Sequence, residues 1–225
     1  HNTCVGSDAL AGSSLVDQCV VIGSQAATSA LTAAADGTVA VGYAALNALT
    51  SGAGNVAIGF ESLTTENAGG GNVALGYRAL KTVDNDDGHN IAIGYEAMVN
   101  SANAYYNIAI GRSAGAEMSS ANVGSCVLIG YQSGDAINHA DASGTVAIGK
   151  SALTALTSGI GNVAIGYQAL DAEDTGDYNT AIGYQALSAQ NVDGTVGNSA
   201  LGYQAGLGIT TATHCTAIGL SLIHI

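Results

Sequence analysis

Asn162-Val163-Ala164-Ile165-Gly166-Tyr167-Gln168-Ala169-Leu170 is the stretch from which the fold can be read. Its glycine recurs in similar company at Gly6, Gly23, Gly42, Gly59, Gly76, Gly94, Gly111, Gly130, Gly149, Gly166, Gly183, Gly202 and Gly219. Successive glycines lie 17 to 19 residues apart. A period this tight over residues 1–219 leaves no room for a second kind of unit. The expectation is a single repeat domain in which each repeat stacks on the last.

Each position around the glycine has a physical reading. Ahead of it stands an apolar pair split by a small residue, as in Val56-Ala57-Ile58. Period-2 alternation with β-branched residues points to a short strand. The glycine marks a bend or a close approach of two backbones. Three residues later stands Ala or Ser, from Ala9 through Ser62 and Ser133 to Ala205, a size limit that implies another rung packed against it. A coil this short holds two strands of roughly five residues and two turns. The fold class expected is all-β, a parallel β-solenoid or β-roll of about 13 coils, 17–19 residues each. At ~4.8 Å per rung such a rod is about 60 Å long. The arm Tyr43-Ala44-Ala45-Leu46-Asn47-Ala48-Leu49 is rich in helix formers. A strand plus a short helical turn per coil is therefore the alternative to two strands.

Between repeats lie turn residues: Asp36-Gly37, Asn67 before Gly69-Gly70-Gly71, Asp87-Gly88 and Asp193-Gly194. Most acids fall there or two residues after the glycine (Asp8, Glu61, Glu96), which reads as a solvated coat. The chain has 4 basic and 17 acidic residues, a net charge of −13. Nucleic acid needs a basic footprint, and an anionic membrane surface would repel this chain. No apolar run approaches the ~20 residues of a spanning helix, so membrane insertion is not expected. With 48% apolar and only 9% charged residues, disorder is excluded on composition. No leader opens the chain, which starts at His1 without Met, so the natural N-terminus is expected upstream. Residues 220–225, Leu220-Ser221-Leu222-Ile223-His224-Ile225, break the pattern and look like translated sequencing adapter. They are expected to be a non-native tail.

The string Asn179-Thr180-Ala181-Ile182-Gly183-Tyr184-Gln185-Ala186-Leu187 resembles the repeats of tail-fibre proteins that end in a self-cleaving intramolecular chaperone domain. More loosely, it is similar to the β-roll heads of trimeric autotransporter adhesins, whose repeats are shorter. The resemblance spans roughly residues 2 to 219. It implies a homotrimer of parallel β-rolls on a virion or bacterial cell surface, used for attachment to a glycan or protein receptor. The chaperone domain has no counterpart here, so none of its catalytic residues carries over. Association also follows from the strand pattern alone. Ala57, Ala74, Ala92, Ala109, Ala164 and Ala181 face opposite to the flanking Val and Ile, making both strand faces apolar. A thin roll covers one face; identical chains in closed symmetry would cover the other.

Two columns are candidate sites. Asn55, Asn72, Asn90, Asn107, Asn162, Asn179 and Asn198, with Asn2 before them, are expected to form an amide ladder, the sharper alternative being a ligand-binding row. Tyr43, Phe60, Tyr77, Tyr95, Tyr131, Tyr167, Tyr184 and Tyr203 follow the glycine, with Arg112 and Lys150 in the same column. They read as an aromatic ladder, or functionally as a glycan-stacking stripe. Of the four cysteines, with Cys4 the first, Cys19, Cys126 and Cys215 replace Asn in repeats too far apart for neighbouring-rung disulfides, and no metal spacing appears; they read as small buried residues. Asp84-Asn85-Asp86-Asp87-Gly88 is a turn rather than a calcium loop, lacking the spaced acidic partner. His89, His139 and His214 stand without a nucleophile or carboxylate at readable spacing. Gly69-Gly70-Gly71 is followed by no Lys-Ser/Thr, so it is no phosphate loop. No cofactor, metal or catalytic residue is assigned. The expected function is a non-enzymatic structural and attachment segment. The alternatives are an ice- or crystal-binding solenoid, for which Thr is too irregularly placed, and a polysaccharide-acting enzyme, which needs a unique concave site.

Overall fold

The computed structural model describes residues 1–13, 15–119 and 122–220. The expected tail therefore lies outside the described residues except for Leu220. Thirteen three-residue strands form one parallel sheet, from Thr3–Val5 at one end to Thr216–Ile218 at the other. They stack in chain order and in register, each residue opposite its repeat equivalent: Val56 on Val73, Ala57 on Ala74, Ile58 on Leu75. The chain is thus an all-β parallel solenoid of thirteen turns. Two-residue strands at Gly176–Asp177 and Gly194–Thr195 pair with each other in a second small sheet. Among the described residues the helical pieces are two 3-10 turns, Ala33–Ala35 and Ala140–Ala142, and no helix is long and apolar enough to cross a membrane.

The arm after the glycine is neither the second five-residue strand nor a helical turn. Its backbone alternates in sign: φ is +139° at Gly166, +49° at Gln168 and +54° at Leu170, with the residues between them at negative φ. The alternation sends the N–H groups of the left-handed residues along the rod in opposite directions, while Ala169 N–H between them turns back to Gly166 O of its own coil. Gln168 N–H donates to Lys150 O in the coil before (3.0 Å), and Leu170 N–H donates to Ala186 O in the coil after (3.0 Å). Left-handed backbone costs an L-residue ~1–2 kcal/mol. The cost is offset by hydrogen bonds that exist only when coils are stacked, so the conformation belongs to the array and not to one repeat.

The core is thin. The middle strand residue points inward and is fully buried, as at Ala57, Ala109 and Ala164, and meets Leu63, Leu80, Leu153 or Leu170 from the opposite arm. Cys4, Val21 and Leu128 depart from the alanine column, and Leu128 is the largest of them. Room for it comes from Gly115 and Gly134, which stand where other coils carry Leu; a Cβ at either would lie 2.7 Å from a Leu128 methyl.

The recurring glycine makes the close approach its position suggested. A Cβ on Gly166 would overlap the carbonyl of Gly183, and the same holds along the column. Gly37, with φ +74°, has nothing within 4 Å of its would-be Cβ. Gly37→Ala should therefore lose only the left-handed penalty, ~1–2 kcal/mol. Gly166→Ala should lose that plus a backbone clash, ~3 kcal/mol or more. Denaturant titration monitored by circular dichroism compares the two; equal losses would mean that the column is not a steric constraint.

Candidate functional site

Three lines of side chains run along the rod. The first is asparagine, fully buried at Asn55, Asn72, Asn90, Asn107, Asn162, Asn179 and Asn198. Each sits just before a strand, where the chain turns into the sheet. Asn72 Oδ1 accepts the backbone N–H of Asn90 (2.9 Å), Asn90 Oδ1 that of Asn107 (3.1 Å), and Asn162 Oδ1 that of Asn179 (2.9 Å). At three of these positions the amide nitrogen reaches the turn of the next coil, three residues before that coil's own Asn: Asn55 Nδ2 to Gly69 O (2.8 Å), Asn90 Nδ2 to Ala104 O (2.8 Å), Asn162 Nδ2 to Gly176 O (2.7 Å). The column is therefore more a side-chain-to-backbone ladder than a stack of amides bonded to each other. Asn2, in the end coil, is exposed; the seven amides after it are buried and offer a ligand nothing to bind.

Where Asn is absent, smaller polar groups serve. Thr38 Oγ1 donates to Ala35 O (2.7 Å) and Thr145 Oγ1 to Ala142 O (2.6 Å), each at a 3-10 turn. Cys19 and Cys126 are buried, but Cys215 is half-buried and Cys4 exposed, because they sit in end coils covered on one side only. All four are free thiols. Burial pushes the Cys126 thiol up to about 11, which keeps it protonated and unreactive at neutral pH.

The second line is aromatic and lies on the outer surface. Ring centroids are 5.2 Å apart for Tyr43–Phe60, 5.4 Å for Phe60–Tyr77, 4.9 Å for Tyr77–Tyr95, 5.0 Å for Tyr167–Tyr184 and 5.1 Å for Tyr184–Tyr203, all stacked. Arg112 bridges the gap between Tyr95 (5.4 Å) and Tyr131 (5.7 Å), and Lys150 that between Tyr131 (5.7 Å) and Tyr167 (5.6 Å). The ring faces cover one another, leaving edges and hydroxyls to solvent. A sugar ring finds an open aromatic face only at the end of a run, as on the side of Tyr43 toward Ser24.

The third line, beside it, is polar. Gln185 Nε2 donates to Gln168 Oε1 and Gln204 Nε2 to Gln185 Oε1, both at 3.0 Å. In the other half Glu61 accepts from Arg78 Nε (3.0 Å) and Lys81 Nζ (2.7 Å), and the two cations hold its carboxyl below the usual range.

The acidic turn behaves as a turn. Asn85 Oδ1 accepts the N–H groups of Asp87 (3.1 Å) and Gly88 (2.9 Å). Among the described residues no three His, Cys, Asp or Glu side chains gather as a metal site would require. His89 stacks on Tyr106 (5.1 Å), and His139 lies 3.3 Å from Asp141 Oδ2, a carboxylate partner that its spacing did not announce. His214, in the next-to-last turn, is exposed.

The solvated-coat reading fails at two acids. Glu66 and Glu173 are fully buried, seven residues after their glycines, in the column of Leu49 and Leu156. Each folds back onto its own turn: Glu66 Oε1 accepts Gly69 N–H (2.6 Å), and Glu173 Oε1 accepts Gly176 N–H (2.7 Å). Their second oxygens differ. Glu173 Oε2 accepts from Gln190 Nε2 (2.8 Å), whereas Glu66 Oε2 has no partner, the next coil presenting Val83 at that place. The signal for both was available: they occupy an apolar column of the repeat.

Comparison with protein-family models, curated proteins and solved structures finds no match.

Burial raises the Glu66 carboxyl above the usual glutamate range, opposed by the Gly69 and Ala68 N–H groups and aided by the nearby Asp84 charge. A carboxyl with a raised folded pKa binds protons more tightly when folded. Its contribution to stability is therefore present below the ordinary value of ~4.3 and is lost as pH rises through the folded value. Glu66→Gln removes this loss, so the variant should gain on the parent protein in thermal stability between about pH 4 and pH 7. Two melting curves that run parallel across that range would remove Glu66 as the source.

Proposed function

We propose that this chain is a non-enzymatic structural and attachment segment of a virion tail fibre or cell-surface adhesin, acting outside the cell as a homotrimer that presents a repetitive surface to a glycan or protein receptor. One observation carries the reading: of the two columns on the sheet's outward face, the one from Val5 to Ile218 is apolar over its whole length, and the other is apolar except at Thr3, Thr180, Ser199 and Thr216. With alanine turned inward, the flanking residues of every strand point out, and Ile58 (37%), Leu75 (43%), Ile110 (36%) and Leu201 (52%) remain substantially exposed. A continuous apolar stripe about 60 Å long is larger than a monomeric protein ordinarily leaves in water. Its β-branched columns are flat and regular, which suits the same face of a second and third copy.

The resemblance of the repeat to tail-fibre and adhesin sequences supports the same conclusion. So does the uniformity of the rod. A repeated surface presents many equal contacts, which favours multivalent attachment, where avidity exceeds the affinity of any one contact. Catalysis asks for a concave site unlike its surroundings.

Sedimentation velocity at micromolar concentration should give a trimer. Ile58→Asp combined with Ile110→Asp should yield a monomer with the parent circular dichroism spectrum, since charges opposite charges on a flat apolar face forbid pairing. A parent protein that sediments as a monomer at that concentration would overturn the reading.

A further inference from the structure

The outer face is not uniform in charge. Asp8, Glu61 and Glu96 line it in the first half, but from Ser113 onward the same column reads Ser113, Gln132, Ser151, Gln168, Gln185 and Gln204. Of the acids of the second half, Glu117, Asp135 and Asp171 lie further along the arm, and the rest lie in the turns or the interior. Beside this uncharged column stand the exposed Arg112 and Lys150.

These two cations are unlike the other pair. Arg78 and Lys81 are both tied to Glu61. Arg112 and Lys150 make no ion pair among the described residues, and each is held between two tyrosine rings. Asp135, the carboxylate that reaches this flank, engages Gln132 Nε2 (3.4 Å). Sandwiching fixes the side chains, so the entropy of holding them in place is already lost before a ligand arrives. The Arg112 donors remain available, because cation–π contact uses the flat of the guanidinium and leaves its in-plane N–H groups free, and the Lys150 ammonium has three N–H groups for two ring neighbours. The cations lie two coils apart, roughly 10 Å at ~4.8 Å per rung, on either side of Tyr131.

We propose that Arg112, Tyr131 and Lys150, with Ser113, Gln132 and Ser151 beside them, bind a carboxylated saccharide chain. One carboxylate takes the Arg112 fork, for which a planar guanidinium is suited, and a second, further along the chain, takes the Lys150 ammonium. Ring hydroxyls between them meet the Tyr131 hydroxyl and the Ser and Gln side chains. A single small anion would span only one of the two cations. A neutral glycan would leave both unanswered. The proposal rests on the attachment reading and names the chemistry that the rod would recognise.

The full chain is titrated calorimetrically with a decamer of galacturonic acid and with a maltodextrin of equal length. The acidic oligomer should bind and the neutral one should not. Arg112→Ser with Lys150→Ser should weaken binding at least tenfold without changing melting temperature or sedimentation, since Ser7 and Ser24 already occupy this column. Arg78→Ser with Lys81→Ser removes the same charge elsewhere and should leave binding within twofold. Absence of binding by the parent protein, or equal weakening by both double variants, would overturn the site. A change of oligomeric state in the first variant would also overturn it, by making the pair a contact between copies. Attachment is scored separately, by binding of the protein to whole host cells, so the site can fail while that reading stands.

Discussion

The contact of one glycine Cα with the carbonyl of the glycine a coil away is the constraint on which the remaining structure depends. It leaves no space for a side chain, so it sets how far apart coils lie and how they are aligned. Once Gly166 is seated on Gly183, Val163, Ala164 and Ile165 can pair only with Thr180, Ala181 and Ile182. A shift by one residue would turn the alanines outward and bury the isoleucines in a core too thin for them. Turn lengths vary between coils, yet the strands never lose alignment, because the variation is taken up away from this contact.

Strict alignment places like beside like, and this selects the side chains that can occupy each column. Groups that donate and accept are self-complementary, so Asn and Gln repeat freely. Aromatic rings stack on rings. Like charges at rung spacing repel, and the charged residues beside the aromatic column obey this. Glu61, Arg78 and Glu96 alternate in sign along one column, and Arg112 and Lys150 are separated by a tyrosine. The low charged fraction of the chain is thus a consequence of its architecture.

Much of this was legible in the sequence. The glycine period gave the number of coils, and the size limit at Ala45, Ser62 and Ala79 marked the packed wall. The sign alternation of the backbone was not legible. Ala and Leu are helix formers, and nothing in Gln168 or Leu170 signals a left-handed residue; the conformation is imposed by hydrogen bonds to coils a period away. Nor was the compensation of Leu128 by Gly115 and Gly134, since it links positions in different columns of successive repeats. The burial of Glu66 was missed because a carboxylate between turns reads as surface, although its column is apolar.

Cys19, Thr38, Asn55 and Glu66 recur in the same order and spacing as Cys126, Thr145, Asn162 and Glu173. The period that the chain repeats is therefore longer than one coil, a block of six. The two blocks share much of their interior, with Leu128 in place of Val21, but not every partner: the place of Gln190, which satisfies Glu173, is taken by Val83 in the first block. They also differ outside, where the first carries acids beside its aromatic column and the second carries amides, hydroxyls and the unpaired Lys150. An interior fixed by stacking leaves the outward columns free to vary, since a change there disturbs no register. A rod that is nearly uniform as a scaffold can in this way carry a surface that is different in each half, and chemical specificity has room to arise there without loss of the fold.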